Sequence, residues 1–170
     1  MFTSLEKQLE STAQIRFQDC DPFRHLNNAR YTDYFMNARF DQLMQFYNFN
    51  LFEVAEKTNH GWVVTKSHIA FLSPATMLEQ VIIRTQLIEM TENRITVEGV
   101  MLNKDARRLK AVTWIEFTFV NLLTGRTASH TDDLMNLFRA VVVDDIFARD
   151  GFNERVDQLK VQFRRQPEVA

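Results

Sequence analysis

The residue types with the greatest chemical capacity in this chain fall between Arg16 and Tyr31, where Asp19, Cys20, Asp21, His25, Asn27 and Asn28 follow one another closely. Asp21 stands before Pro22, and the run leads into a stretch with helical character. A carboxylate so placed can deprotonate a water or attack an electrophilic carbon itself. Backbone amides at a helix start lack intrahelical acceptors and sit at the positive end of the helix dipole. Those around Asn27, Asn28 and Ala29 are therefore suited to developing negative charge. Each residue also has a plainer reading. Asp-Pro is a common turn pair, and Asx side chains bond to nearby backbone whether or not anything is catalysed. His25 either positions a ligand or is a loop histidine satisfied by its neighbours. Asn28 is most simply an N-cap, Asn27 orders the loop or a water, and Tyr31 packs within the first helical turn. Asp19 shares strand parity with Ile15 and Phe17 and reads as a structural hydrogen-bonding partner. Cys20 reads as a small packed residue, because flanking carboxylates raise a thiol pKa and an extended backbone points it away from Asp21.

The elements that must position this segment can be read from periodicity. Ile15 and Phe17 alternate with Arg16 and Gln18, which predicts a short strand running into Asp19 to Asp21 and ending at Pro22. A helix is expected from about Ala29 to Tyr47, capped by Asn27 or Asn28. Its apolar positions, from Tyr31 and Phe35 to Phe46 and Tyr47, exceed a single stripe and predict a largely enclosed helix. From Trp62 the period becomes two: Trp62 to Leu72, Leu78 to Ile88, Arg94 to Leu102, and a long strand with Leu109, Ala111, Thr113, Ile115, Phe117 and Phe119 on one face. Short connections between these four strands make an antiparallel meander the simplest pairing. The expected class is α+β, a sheet of roughly five strands wrapped around one long helix. Thr131 is placed to cap a short helix through Leu134, Leu137 and Phe138, and a last helix is expected from about Asn153 to Arg164.

Composition narrows the function classes. The 170 residues suit one domain, and 45% hydrophobic with 25% charged residues is ordinary for a globular protein. A net charge of -2 with interspersed signs gives no footprint for nucleic acid. Met1 to Glu10 shows no signal-peptide pattern, and no apolar run has the length to span a bilayer, so no membrane partner is expected. A single cysteine fits a reducing cytoplasm and leaves no multi-cysteine metal site. The four histidines lack ligand spacing, so no metal is expected, and four dispersed glycines cannot build a phosphate cradle for a nucleotide cofactor.

Asp19-Cys20-Asp21-Pro22 followed by His25-Leu26-Asn27-Asn28 and Tyr31 resembles the motif of the hotdog-fold acyl-CoA thioesterases, the 4-hydroxybenzoyl-CoA thioesterase-like family. The resemblance implies a hotdog fold and hydrolysis of an acyl-CoA thioester without a cofactor. Asp21 then matches the family's catalytic carboxylate, and His25, Asn27, Asn28, Ala29 and Tyr31 form the substrate-side segment. It further implies a homodimer or homotetramer with sheets joined edge to edge and sites at the subunit boundary. The same stretch is similar to acyl-carrier-protein thioesterases of that fold. Two positions depart. Arg24 stands where the family usually has Gly, which favours the competing reading of a noncatalytic acyl-binding or assembly module. Phe23 stands where the carrier-protein enzymes place Asn. The strand order matches to about residue 140, leaving about 141–170 as a C-terminal extension.

Overall fold

The protein is described here by a computed structural model covering residues 5–143 and 151–164. Period-two alternation in the middle of the chain yields strands β2 (His60–Phe71), β3 (Gln80–Met90), β4 (Arg94–Asn103) and β5 (Leu109–Asn121). They join β1 (Gln8–Gln14) in one antiparallel sheet of order β1-β3-β4-β5-β2. The sheet curves around helix α1 (Tyr31–Tyr47), the hotdog arrangement. Helices α2 (Leu51–Thr58), α3 (Asp132–Val141) and α4 (Phe152–Arg164) complete the described residues.

The inner face of the sheet packs on α1. Phe35 and Ala38 meet Val81, Ile83, Met101 and Ala111 in a buried cluster. Gly99 makes the close approach possible: a Cβ there would lie 2.6 Å from Phe35 Cδ1 and 2.9 Å from Thr113 Cγ2. The outer face is closed by α4, whose Val156 and Leu159 pack on Val100, Leu102 and Val112. Beneath α4 the carboxylate of Glu98, 1% exposed, accepts two hydrogen bonds from Arg155 at 2.9 Å each. Trp114 Nε1 and Gln86 Nε2 also donate to it at 2.9 Å. A carboxylate can be buried this completely because its lone pairs are met by donors and its charge by a bidentate guanidinium.

Several expectations need correction. The early strand ends sooner than predicted: β1 stops at Gln14, and Phe17–Asp19 forms a short 3-10 turn rather than the strand's end. An edge strand paired on one side needs little hydrophobic alternation, and Gln8–Gln14 shows little. The meander holds only for β3, β4 and β5. β2 pairs with β5 instead of β3, and β1 takes the vacant edge of β3. The connection 72–79 is not a hairpin but a crossover: Leu72 N–H bonds back to Lys110 O, while Met77 and Leu78 N–H bond to Arg24 O and Ile15 O. α1 is enclosed along one face only, through Tyr31, Phe35, Ala38 and Gln42. Leu109 leaves the face of Ala111 because a bulge opposite Met101/Leu102 turns it outward, into the cluster with Val156. Helix α2 was not anticipated; Asn50 caps it by accepting from the amides of Phe52 and Glu53. Thr131 does cap α3, accepting from Leu134 N–H. Of the C-terminal extension, 144–150 and 165–170 lie outside the described residues.

Candidate active site

The loop between β1 and α1 is built by its own short side chains. Asp21 N–H donates to His25 O at 2.8 Å, and Arg24 N–H donates to Asp21 O at 3.0 Å, closing a tight turn. Arg24 adopts φ 63°, the left-handed conformation that glycine takes most cheaply. The turn is thus made in glycine's geometry by an arginine, and Arg24 O is fixed by Met77 N–H at 2.9 Å. Inside the turn, Asp21 Oδ1 accepts from the amides of Phe23 at 2.9 Å and His25 at 3.1 Å. This is the Asx geometry that the plainer reading required. It also orients the group: one oxygen is pinned by two N–H donors, while among the described residues no donor occupies Oδ2. No ion pair joins Asp21 to Arg24 among the described residues.

Asp21 lines a pocket of about 220 Å³ with His25, Leu26, Asn28 and Tyr31 on one side and Phe71, Leu72, Ser73 and Pro74 on the other. The pocket lies at the start of α1. Of the predicted site residues, Asp21, His25, Asn28 and Tyr31 come together there. Asn27 and Ala29 do not line it: both are exposed, and Asn27 Oδ1 accepts from Ala29 N–H at 2.9 Å. Asn27, not Asn28, is therefore the cap, on the 3-10 turn Asn28–Arg30 that precedes α1. The amides of Asn27, Ala29 and Arg30 are engaged by Asp19 O, Asn27 Oδ1 and Asn27 O. The Asn28 N–H has no protein acceptor among the described residues, which leaves it as the amide available to a carbonyl oxygen.

Tyr31 is 2% exposed; its hydroxyl accepts from Ala75 N–H at 3.1 Å and its ring meets Phe71 edge-on. Burial raises its pKa, reinforced by Glu79 and Asp21, so it is a neutral phenol that ties the 73–76 wall to α1. Tyr34 hydroxyl donates to Asp19 Oδ2 at 2.8 Å and accepts from Arg16 N–H at 2.9 Å, giving Asp19 a structural partner. The Cys20 thiol pKa is raised by burial first, then by Asp19 and Asp21, which disfavours the thiolate. Among the described residues no three of His, Cys, Asp and Glu converge to hold a metal.

Sequence reasoning missed the far wall, Phe71 to Pro74, because its approach depends on the crossover. It also missed a second cavity of about 580 Å³ between the last half of α1, helices α2 and α3, and the sheet. Phe40, Leu43, Trp62, Val97, Phe117 and Phe138 are among its walls, and among the described residues Arg39 is the one charged residue lining it. Burial lowers the Arg39 pKa to about 10, so the guanidinium is still ionised at neutral pH.

Residues 15–138 match the model of the thioesterase-like superfamily, a span that holds the Asp21 loop, α1 and the sheet from β2 to β5. The chain belongs to this superfamily. It is 23% identical over 134 residues to the long-chain acyl-CoA thioesterase FadM of Escherichia coli (strain K12), covering 79% of this chain and 99% of that protein. The crystal structure of the probable thioesterase YbaW from Escherichia coli superposes with a TM-score of 0.68 at 23% identity, covering 79% of this chain and 99% of that one. A DHNA-CoA thioesterase from Staphylococcus aureus superposes at 0.70 and 15% identity, over 91% of this chain and 94% of that one. These superpositions bear out the hotdog fold. The family match ends at residue 138, before α4. None of the described helices is long and apolar enough to cross a membrane.

Proposed function

We propose that this protein hydrolyses an acyl-CoA thioester to the free acid and coenzyme A, with Asp21 as the catalytic carboxylate. The observation that carries the reading is the state of Asp21 in the pocket wall: Oδ1 is held by two backbone amides, and among the described residues Oδ2 has no donor and the Asn28 N–H at the same helix start has no acceptor. In one route Oδ2 takes a proton from water as the water oxygen bonds to the thioester carbon. In the other Oδ2 attacks that carbon, and water then opens the resulting anhydride. In both, the carbonyl oxygen becomes an oxyanion near the Asn28 amide, the C–S bond breaks, and the sulfur leaves as coenzyme A thiolate and is protonated. An oxyanion donor is typically worth about 3 to 4 kcal/mol in the transition state. His25 and Tyr31 shape the pocket around these two groups.

The reading includes a cytoplasmic homodimer. β2 is a 12-residue edge strand whose residues 63–68 are exposed, with Val63 and Val64 at 41% and 50%. An unpaired edge of that kind is a template for a second copy. Antiparallel pairing of β2 with itself about its middle would set the Phe71 end of one copy beside the Trp62 end of the other. The Asp21 pocket would then adjoin the large apolar cavity of the partner subunit, supplying space for an acyl chain. α4 already covers the outer sheet face, which supports a dimer over a tetramer joined through that face. Arg24 adopts the glycine conformation and, among the described residues, forms no salt bridge with Asp21, which supports the catalytic reading over a noncatalytic module. The test is thiol release from a panel of acyl-CoAs by wild type and Asp21→Asn: loss of most turnover in a folded variant supports the reading, and equal rates sink it.

A further inference from the structure

Arg39 is half-buried and differs from the two buried cations of the described residues, Lys110 and Arg155. Lys110, 6% exposed in its side chain, pairs with Glu79 at 2.7 Å, and Arg155 pairs with Glu98 at 2.9 Å. Arg39 pairs with no carboxylate among the described residues. Its neighbours are two hydroxyls: Nη1 donates to Thr85 Oγ1 at 3.0 Å, and the Tyr47 hydroxyl, which itself donates to Glu6 O, lies alongside the guanidinium. Thr85 is in turn held by the buried Gln42, so this polar corner is fixed from behind. A guanidinium has five N–H donors, and two hydroxyls leave most of them unused. No fully buried side-chain donor is stranded among the described residues, so any unpaired N–H of Arg39 keeps access to open space. The space it lines is the cavity of about 580 Å³, whose other lining residues among those described carry no charge.

A cation drawn partly out of water is costly unless it is paired, and Lys110 and Arg155 are paired internally. Among the described residues Arg39 has no such partner, which leaves room for an anion supplied by a ligand. We infer that the large cavity takes an acyl chain whose far end carries a carboxylate, and that Arg39 binds that carboxylate as a specificity-determining residue. Bidentate geometry suits arginine and carboxylate, and the apolar walls suit the methylene chain between the carboxylate and the thioester. The inference rests on the acyl-CoA hydrolase reading for the thioester end, but not for the carboxylate end.

Two measurements separate these. The first compares kcat/KM for dodecanoyl-CoA with that for dodecanedioyl-CoA, its ω-carboxy counterpart. Wild type should favour the ω-carboxy substrate by about 10- to 100-fold, the range of a hydrogen bond to a charged group. Arg39→Met should abolish that preference by lowering kcat/KM for dodecanedioyl-CoA far more than for dodecanoyl-CoA, and Arg39→Lys should keep part of it. The second follows Trp62 fluorescence, Trp62 being in the cavity wall, on titration with the monomethyl and dimethyl esters of dodecanedioic acid. Wild type should bind the monomethyl ester, which has one carboxylate, at least 10-fold tighter. If neither CoA ester is hydrolysed but this selectivity is present and Arg39-dependent, the hydrolase reading fails and the Arg39 assignment stands. If wild type fails to prefer the carboxylate in both measurements, the assignment is overturned, whatever Arg39→Met does to folding.

Discussion

Replacing Arg155 with Met is the most demanding test of how α4 is held to the sheet. The side chain is nearly isosteric along its stem, so the packing of Val156 and Leu159 is kept while the guanidinium is lost. What remains is Glu98 at 1% exposure, with the Trp114 and Gln86 donors but no countercharge shown for it among the described residues. Breaking a buried pair from one side costs about 3 to 5 kcal/mol, because the surviving charge keeps its desolvation penalty. In a chain of this size each kcal/mol corresponds to about 2 to 4 °C, so the midpoint should fall by about 6 to 20 °C. Lys160→Ala on the same helix removes only the exposed pair with Asp157 and should stay within about 1 kcal/mol of wild type. The double variant Glu98→Met/Arg155→Met should recover most of the loss, since removing both charges removes the desolvation cost. Urea titration followed by circular dichroism reads all three. A loss below about 1 kcal/mol for Arg155→Met would refute the claim that a buried ion pair anchors α4.

Arg24→Gly should stabilise the protein: relieving a left-handed non-glycine residue gains about 1 to 2 kcal/mol, against about 0.4 to 1 kcal/mol of added unfolded-state entropy. The net gain of up to about 1.6 kcal/mol should raise the midpoint by up to about 6 °C in a thermal melt, and a fall would show that the turn depends on the arginine side chain. His130 is 7% exposed, with Nε2 accepting from Trp62 Nε1–H at 3.1 Å, Nδ1 against Thr91 O at 3.2 Å, and burial lowering its pKa. The unfolded chain, with an ordinary value of about 6.5, then binds a proton that the folded chain does not. This group's contribution is constant above about pH 6.5 and is lost as pH falls below it, by at most about 1.4 kcal/mol per pH unit until the folded histidine also protonates. Urea midpoints between pH 7.5 and 5 check this; in His130→Asn that component of the slope should vanish, and an unchanged slope would refute it.

Much of this was legible in the chain. The period-two runs located β2 to β5 because inner and outer residues alternate against α1 on one side and α4 or solvent on the other. The helix start was legible because Asn27 and Asn28 stand before an apolar run, although which of them caps depended on the 3-10 turn inserted before Tyr31. The strand order was not, since the length of 72–79 fits a hairpin as well as a crossover. What decides it is β1 occupying the edge of β3, with Leu72 and Ser73 bonded to Lys110 O. Charges were the other blind spot. Glu98 looks solvated in a strand of alternating polarity until Arg155, 57 positions later, is folded over it. Arg39 looks like one more polar position on α1 until the cavity beside it is seen. Within the site, the close spacing of Asp21, His25, Asn28 and Tyr31 made their convergence on one pocket legible; the wall from Phe71 to Pro74, and the failure of Asn27 and Ala29 to reach the pocket, depended on tertiary placement.

The central claim is that Asp21 performs hydrolysis from this pocket, and single-turnover thiol release tests it most directly. Purified wild type and Asp21→Asn are each mixed in excess over an acyl-CoA, with folding of both verified by circular dichroism. Asparagine preserves the Oδ1 acceptor of the turn and removes the negative charge, so loop geometry should be retained while base and nucleophile are both lost. The account predicts that the rate falls by at least about 100-fold, the lower end of what a positioned acid–base group contributes. A folded Asp21→Asn protein releasing thiol at the wild-type rate would contradict it and move the chemistry elsewhere in the molecule.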